Sequence, residues 1–182
     1  LDKKRKEKIA FSCSLREKDV ISAPDVSNIY EVPVNFEKDS LSKVLLDKFN
    51  LKPRKKDLKK WQALALLSHH LEAPVKIGII GKYFGTGDFI LSDSYISVIE
   101  AIKHAAFSVK RKPVIDWLNA EDFDPKKKNY GTNLKKLKKY GGIIVPGGFG
   151  HRGVEGKIQA IKFCREQKIP YLGLCYGMQL AV

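Results

Sequence analysis

Cysteine is scarce in this sequence, and its positions argue against two classes of protein. The chain of 182 residues has three cysteines, Cys13, Cys164 and Cys175, an odd number at wide spacings. Small disulfide scaffolds and zinc sites need several cysteines at short, regular intervals. We therefore expect neither a disulfide framework nor a metal site, and we expect a reducing, cytoplasmic setting.

Long apolar runs are also lacking. The sequence has no run of 18 apolar residues, and its lysine-rich N-terminus lacks the apolar segment of a signal peptide. It therefore predicts neither a membrane-spanning helix nor a secretion signal. The chain begins with Leu1 instead of Met and ends in mid-pattern at Val182, so we expect both ends to lie inside a longer protein.

Acidic residues are few beside basic ones. The 20 Asp and Glu residues against 34 Lys and Arg residues give a formal net charge of +14. Such an excess is typical of nucleic-acid-binding proteins. The lysines, however, lie in short runs with few aromatic residues among them, and no nucleic-acid-binding motif accompanies them. We favour a solvated surface that attracts anionic nucleotides, and a patch for a nucleic-acid polymer is the alternative.

What is present from residue 75 onward is an alternation of apolar strands and amphipathic helices. Strands are predicted over residues 75–81, 114–118, 142–145 and 169–174. Helices are predicted over residues 92–107 and 154–167, and near 133–139. This alternation predicts an α/β fold with an open, mostly parallel sheet and helices on both faces. Ligands of such sheets bind beyond the carboxyl ends of the strands.

The first 74 residues have a different pattern. Short strands are predicted over residues 8–13 and 20–22, and helices over residues 40–50 and 57–71. Ser40 is the expected N-cap of the first of these helices. The second helix is basic and flanked by prolines, which is typical of a linker between two domains.

A cysteine lies between two glycines where a predicted strand ends, since residues 173–177 read Gly-Leu-Cys-Tyr-Gly. The pattern G-x-C-x-G resembles a nucleophile elbow, in which a sharp strand-to-helix turn exposes the nucleophile and small neighbours let backbone segments approach. The following helix would place N–H groups beside the sulfur, which favours the reactive thiolate. The alternative is a buried structural cysteine in a glycine-rich turn.

A second glycine-rich segment, Pro-Gly-Gly-Phe-Gly at residues 146–150, follows the preceding predicted strand. Attack on an amide creates an oxyanion that needs preorganised N–H donors, and a Gly-Gly turn can present one because glycine tolerates unusual backbone angles. The N–H of Tyr176 would be the other donor. Alone, this loop could equally be a turn that caps a helix. One helix connects the two strands, which end about 28 residues apart, so we expect neighbouring strands and one shared site.

Together these segments resemble the class I, triad-type glutamine amidotransferases. The intervening residues 152–157 (R-G-V-E-G-K) narrow the resemblance to the CTP synthase family. Residues 81–83 and 92–104 are similar to the same family. Residues 20–33 resemble the end of its synthetase domain.

The resemblance implies a division of the chain. Residues 1–52 would be the C-terminal end of a P-loop-type α/β synthetase domain, residues 53–74 the linker helix, and residues 75–182 the N-terminal half of a flavodoxin-like amidotransferase domain. The family phosphorylates UTP with ATP and Mg²⁺ and displaces the phosphate with ammonia to give CTP. Glutamine hydrolysis through a cysteine thioester supplies the ammonia, and GTP activates that step. The family forms homotetramers and often filaments.

The resemblance also implies roles for single residues of the amidotransferase segment. By position, Cys175 is the nucleophile, and the backbones of Gly147 and Tyr176 line the oxyanion site. Phe149 would face GTP as well as glutamine. The residues expected to hold glutamine are Gly148, Phe149 and Gln179.

In the synthetase segment the resemblance implies nucleotide contacts. Lys8 matches a lysine that contacts the pyrimidine nucleotide, and Asp25 and Val26 match the segment that flanks the ATP adenine. The alternative for Lys8 is a surface lysine in a basic run. For Asp25 it is a turn residue at the start of a helix.

The sequence departs from the complete family pattern in three ways. The histidine and glutamate of the triad lie beyond Val182 in the family, so we expect this chain alone to be inactive. The P-loop and magnesium ligands lie upstream. Residues 84–91 form a longer loop than is usual there.

Two other functions stay open. A γ-glutamyl hydrolase or stand-alone amidotransferase would share the cysteine elbow, although residues 25–30 argue for a synthetase domain. A non-catalytic, basic assembly module is the other alternative, and the intact Cys175 in a complete elbow argues against it.

Overall fold

The computed structural model describes residues 1–55, 57–81, 95–148 and 153–182. Contacts divide the chain into two compact units, Leu1–His70 and Leu71–Val182. Within the described ranges, no helix is both long enough and apolar enough to cross a membrane.

The first unit is helical. Its helices are α1 (Lys3–Ser12), α2 (Val32–Lys38), α3 (Leu41–Lys48) and α4 (Lys59–His69). The indole N–H of Trp61 on α4 donates to the carbonyl oxygen of Tyr30, and the two rings meet edge to face with centroids 6.4 Å apart. The helix predicted as a linker therefore packs within this unit, and its role as a linker stays a prediction.

The strand predicted over residues 8–13 is wrong, because these residues continue and end helix α1. The Asp2 side chain caps the helix by accepting from the Arg5 amide at 2.8 Å, and Lys3 pairs with Glu7 one turn on at 3.8 Å. These local contacts favour a helix, whereas a strand needs a neighbouring strand. Residues 20–22, also predicted as a strand, join no sheet within the part of the chain described.

The helix predicted over residues 40–50 is confirmed in place but not in its cap. Helix α3 begins at Leu41, but Ser40 has a φ of 56° and its side chain caps nothing. The first turn is capped by Glu37 instead, whose carboxylate accepts from the Ser42 amide at 3.1 Å. A carboxylate near a helix N-terminus also complements the helix dipole.

The second unit is a parallel α/β sheet, as predicted. Its strands are β1 (Pro74–Gly81), β2 (Lys112–Asn119), β3 (Gly142–Val145) and β4 (Tyr171–Gly173), all parallel in the order β2-β1-β3-β4. Its helices are α5 (Ile96–Ser108), α6 (Tyr130–Lys136), α7 (Val154–Glu166) and α8 (Tyr176–Gln179).

Helices cover both faces of this sheet. Successive residues of a strand point to opposite faces. Ile79 packs with Ile102 of α5 on one face. Its neighbour Ile80 packs on the other face with Leu134 of α6 and Ile161 of α7. The fully buried core therefore forms two layers around strands β1 and β3.

The order of the strands fixes where the two glycine-rich segments lie. Strands β3 and β4 are neighbours, and Val145 pairs with Gly173 at their carboxyl ends. The residues that follow these two positions must therefore emerge side by side at one edge of the sheet. This confirms the prediction that the two strands are neighbours.

Candidate active site

Cys175 lies at the junction of β4 and α8, where the chain turns sharply. Its φ of 52° and ψ of −110° fall in a region that residues other than glycine rarely adopt. The Gly177 amide donates to the Leu174 carbonyl at 3.0 Å, and the Gln179 amide donates to the Cys175 carbonyl at 3.1 Å. Cys175 is exposed. This arrangement matches a nucleophile elbow and disagrees with a buried structural cysteine.

The two glycines of the elbow are required by close backbone contacts. A Cβ atom at residue 173 would lie 2.6 Å from the Gly177 carbonyl carbon and oxygen. A Cβ atom at residue 177 would lie 2.0 Å from the carbonyl oxygen of Val145. No side chain can occupy either position without moving the backbone. The glycines thus let the elbow fold back on itself and against strand β3.

Tyr171 fixes the start of α8 from strand β4. Its hydroxyl donates a 2.6 Å hydrogen bond to the carbonyl oxygen of Gly177. Burial, and to a lesser degree the nearby Cys164 thiol, raises the pKa of Tyr171 to about 12. The hydroxyl therefore keeps its proton and remains a donor at neutral pH. This contact could not be predicted from the sequence, since a tyrosine on a strand usually packs into the core.

The glycine loop after β3 faces the cysteine. A Cβ atom at residue 147 would lie 3.4 Å from the Cβ atom of Cys175 and 3.7 Å from its Sγ atom. The Leu174 amide donates to the Val145 carbonyl at 3.0 Å, which ties the elbow to the base of the loop. The structure thus brings Gly147 and the Cys175 thiol together, as the sequence predicted. A substrate carbonyl bound at the thiol would lie next to this loop.

The other residues predicted to bind glutamine or the oxyanion differ in their exposure and their neighbours. Gln179 is exposed on the last position of α8, and Tyr176 is half-buried on its first. Gly148 lies next to the ammonium group of Lys157. Phe149, predicted to contact glutamine and GTP, lies outside the described residues, as does the long loop at residues 84–91. The roles of all these residues stay predictions.

Lys157 also lies beside the candidate site, although it was not predicted from the sequence. Lys157 is buried, and its ammonium lies 5.6 Å from the centroid of the Tyr176 ring. One signal was available, because Lys157 shares the spacing of the apolar stripe of α7 with Ala160, Ile161 and Cys164. A charged residue at a core position indicates a specific partner.

The predicted nucleotide contacts lie in the first unit. Lys8 and Asp25 are exposed, and Val26 is half-buried. An open cleft of about 630 Å³ in this unit is lined by other described residues, among them Arg16 and Asp19. The hydrogen bond from Arg16 lowers the pKa of Asp19 to about 2. This cleft is not lined by Lys8, Asp25 or Val26, and the roles of these three residues stay predictions.

The side chains that commonly ligate metals are not clustered in the part of the chain that the structure describes. In the described ranges, His, Cys, Asp and Glu form no group of three or more that could hold a metal ion. No residue described in this chain is therefore assigned to Mg²⁺.

Comparison with known proteins relates both units to one enzyme family. The family model for class-I glutamine amidotransferases matches residues 90–182, and the model for the CTP synthase N-terminus matches residues 1–51. The CTP synthase of Rippkaea orientalis is 44% identical to the chain over 97% of the chain and 30% of its own length. That of Methanococcus maripaludis is 41% identical over 100% of the chain and 33% of its own length. The chain thus spans about a third of the length of these curated relatives.

A solved structure agrees with these relatives. The chain is similar to the glutaminase domain of Trypanosoma brucei CTPS with bound acivicin, at a TM-score of 0.52 and 36% identity. The similarity covers 59% of this chain and 39% of that chain.

Proposed function

Because the chain belongs to the class-I glutamine amidotransferase family and is homologous to CTP synthases along nearly its whole length, we propose that it is a segment of such an enzyme. The segment would hold the C-terminal end of the synthetase domain and the N-terminal half of the glutamine-hydrolysing domain. Cys175 would be the nucleophile. The observation that carries this proposal is the exposed thiol at a strained elbow, beside the glycine loop at Gly147. A nucleophile must be accessible and must face donors for the charge that its attack creates.

The proposed reaction proceeds in two steps. The thiolate of Cys175 attacks the side-chain amide carbon of glutamine, and the amide oxygen becomes an oxyanion. The backbone N–H groups of Gly147 and Tyr176 would stabilise that charge while Gly148, Phe149 and Gln179 hold the substrate. The tetrahedral intermediate collapses to a thioester and the nitrogen leaves as ammonia once a proton is donated to it. Water then attacks the thioester carbonyl and releases glutamate and the free thiol.

Proton transfer in both steps needs a general base and acid. The resemblance implies that a histidine fills this role and that a glutamate orients it, both downstream of Val182. We therefore expect the 182-residue chain alone to release no measurable glutamate. The full-length enzyme would hold the complete set of groups.

The larger enzyme would use the ammonia to make CTP. UTP would be phosphorylated by ATP with Mg²⁺, and ammonia would displace the phosphate. Lys8 would contact the pyrimidine nucleotide, Asp25 and Val26 the ATP adenine, and Phe149 the activator GTP. We propose that the larger enzyme is a cytoplasmic homotetramer that also assembles into filaments, because the resemblance implies both. The net charge of +14 would attract these anionic nucleotides.

The alternatives differ in what they predict for Cys175. Another cysteine-elbow hydrolase would use the same thiol but would have no need of residues that match a CTP synthase N-terminus. A non-catalytic assembly module would not need an exposed cysteine at a strained turn. The match of residues 1–51 and the geometry of the elbow therefore favour the amidotransferase.

The test replaces Cys175 with alanine in the full-length enzyme. Glutamine-driven CTP formation should fall to background, whereas CTP formation from added ammonia should remain, because ammonia does not need the thiol. Cys13→Ala is the matched control, since Cys13 is also exposed but lies in the first unit. This control should keep both activities.

Two results would contradict the proposal. If Cys175→Ala retained glutamine-driven CTP formation, the thiol would not be the nucleophile. If a folded Cys175→Ala enzyme lost ammonia-driven synthesis as well, the cysteine would not be confined to glutamine hydrolysis.

A further inference from the structure

Lys157 is a buried lysine in the first turns of helix α7. Its relative exposure is 2%, and the residues three, four and seven positions further on lie in the hydrophobic core. Removing an ammonium group from water is unfavourable unless neighbouring groups compensate the charge. What surrounds the Nζ atom of Lys157 is therefore informative.

The ammonium group lies beside two segments of the candidate active site. Its Nζ atom is 3.8 Å from the point that a Cβ atom of Gly148 would occupy. The same atom lies 5.6 Å from the centroid of the Tyr176 ring, within the range of a cation–π contact. One charged group thus lies next to both the loop after β3 and the residue that follows Cys175.

These two segments are the ones to which the proposed function assigns the oxyanion donors. They emerge from different strands, so their separation depends on contacts between them as well as on the sheet. Helix α7 connects the two strands in sequence. A side chain anchored on α7 that contacts both segments can fix their spacing. Its positive charge would also favour negative charge that develops between them.

We propose that Lys157 is a positioning residue for glutamine hydrolysis, holding the loop at Gly148 and the Tyr176 backbone in the geometry that receives the oxyanion. This inference rests on the proposed function, because it needs Cys175 to attack an amide. It goes further by naming the group that keeps the oxyanion donors in place. Lys157 would act by holding these segments and by its charge, and it does not itself touch the substrate.

The test compares three variants of the full-length enzyme. Lys157→Met keeps the length of the side chain and removes the charge. We expect kcat for glutamine hydrolysis to fall about 10- to 100-fold with KM changed less than about 3-fold, since the lost interaction acts mainly in the transition state. Lys157→Arg keeps the charge and should retain at least about a third of kcat. Lys162→Met is the control, because Lys162 is an exposed lysine of the same helix.

A second readout separates positioning from general stability. A glutamine analogue with an aldehyde in place of the amide would add to the Cys175 thiol and form a tetrahedral adduct that resembles the intermediate. Its inhibition constant should rise in Lys157→Met by about the same factor as kcat falls. A purely structural role would instead lower the melting temperature and leave the aldehyde-to-substrate affinity ratio unchanged.

The outcomes distinguish this inference from the proposed function. If Cys175→Ala is inactive with glutamine but Lys157→Met equals Lys162→Met, only the role of Lys157 is overturned. If Cys175→Ala keeps its glutamine activity, the proposed function itself fails. If Lys157→Met does not fold, Tyr176→Leu decides, because it removes the ring contact and keeps the backbone N–H. That variant should lose about 3- to 5-fold in kcat at unchanged KM, and an unchanged kcat would overturn the inference.

Discussion

A single methyl group at Gly177 should separate the cysteine elbow from strand β3. In Gly177→Ala the new Cβ atom would lie 2.0 Å from the carbonyl oxygen of Val145 and 2.8 Å from its carbonyl carbon. Both are backbone atoms, and Val145 also accepts the hydrogen bond from the Leu174 amide that ties the elbow to the loop. Relief of the overlap therefore requires the elbow or the end of β3 to shift by more than an ångström.

The expected cost follows from the nature of this overlap. Overpacking a well-packed core by a methyl group usually costs about 1–3 kcal/mol, and a clash between backbone segments lies at or above the top of that range. We therefore expect Gly177→Ala to lose at least about 3 kcal/mol of unfolding free energy. Gly131→Ala is the matched control, since a Cβ atom at Gly131 on α6 meets nothing within 4 Å. The free energy of unfolding of Gly131→Ala should rise by about 0.4–1 kcal/mol, because alanine restricts the unfolded chain and favours the helix.

Urea unfolding followed by tryptophan fluorescence can measure both variants. The chain has two tryptophans, and Trp117 lies in strand β2 of the second unit whereas Trp61 lies in the first. In a Trp61→Phe background the emission therefore reports the second unit alone. Equal stability of Gly177→Ala and the parent chain would refute the close approach of the elbow to β3. A comparable loss in Gly131→Ala would show that any alanine at a helical glycine is destabilising here.

Two further predictions concern Tyr171 on strand β4 and Cys164 on helix α7. Tyr171→Phe should lower the unfolding free energy by about 1 kcal/mol, since the Gly177 carbonyl loses its donor, and a change below 0.3 kcal/mol in urea unfolding would argue against that bond. Burial raises the pKa of the Cys164 thiol from 9.0 to about 11. The unfolded chain therefore releases this proton at a lower pH than the folded chain does. The stabilisation that the buried, protonated thiol gives the folded state is complete below pH 9 and is lost as the pH rises through 11. By pH 11 the loss should reach about 2 kcal/mol, and Cys164→Ala should show a correspondingly weaker decline, whereas parallel pH profiles would contradict it.

The sheet and the elbow could be predicted from the sequence because local patterns determine them. The apolar runs that form β3 and β4 are each followed by a glycine-rich segment, and parallel strands joined by one helix tend to be neighbours. The two glycines around Cys175 indicated that backbone segments approach each other closely there, although the sequence did not show which segments they are. For the sheet and the elbow, the local sequence patterns and the structure therefore agree.

The first unit was harder to predict because strands depend on distant partners. Residues 8–13 have the composition of a buried strand, but Asp2 and the Lys3–Glu7 pair stabilise a helix through contacts within a few residues. The pattern of one segment does not show whether another strand is available to pair with it, so it cannot decide between strand and helix. The cap of helix α3 was also not predictable, because the Glu37 carboxylate and not the Ser40 side chain accepts from the first turn.

The fine structure of the site could not be predicted either. The spacing of Lys157 on the apolar stripe of α7 indicated a buried position, but its contacts with Gly148 and Tyr176 join separate segments of the chain. Likewise, the hydrogen bond from Tyr171 crosses the elbow. Contacts of this kind depend on how α7, β4 and the loop after β3 pack against the start of α8, which local sequence patterns do not determine.

The most direct test of the central claim is to label the thiol in the full-length enzyme. A chloromethyl ketone analogue of glutamine should alkylate Cys175, and peptide mass spectrometry after digestion would locate the adduct. We expect Cys175 to be modified first and glutamine to slow its modification, whereas the exposed Cys13 and the buried Cys164 remain unmodified over the same time. Labelling of Cys13 as fast as Cys175, or no protection by glutamine, would contradict a glutamine-binding nucleophile at this elbow.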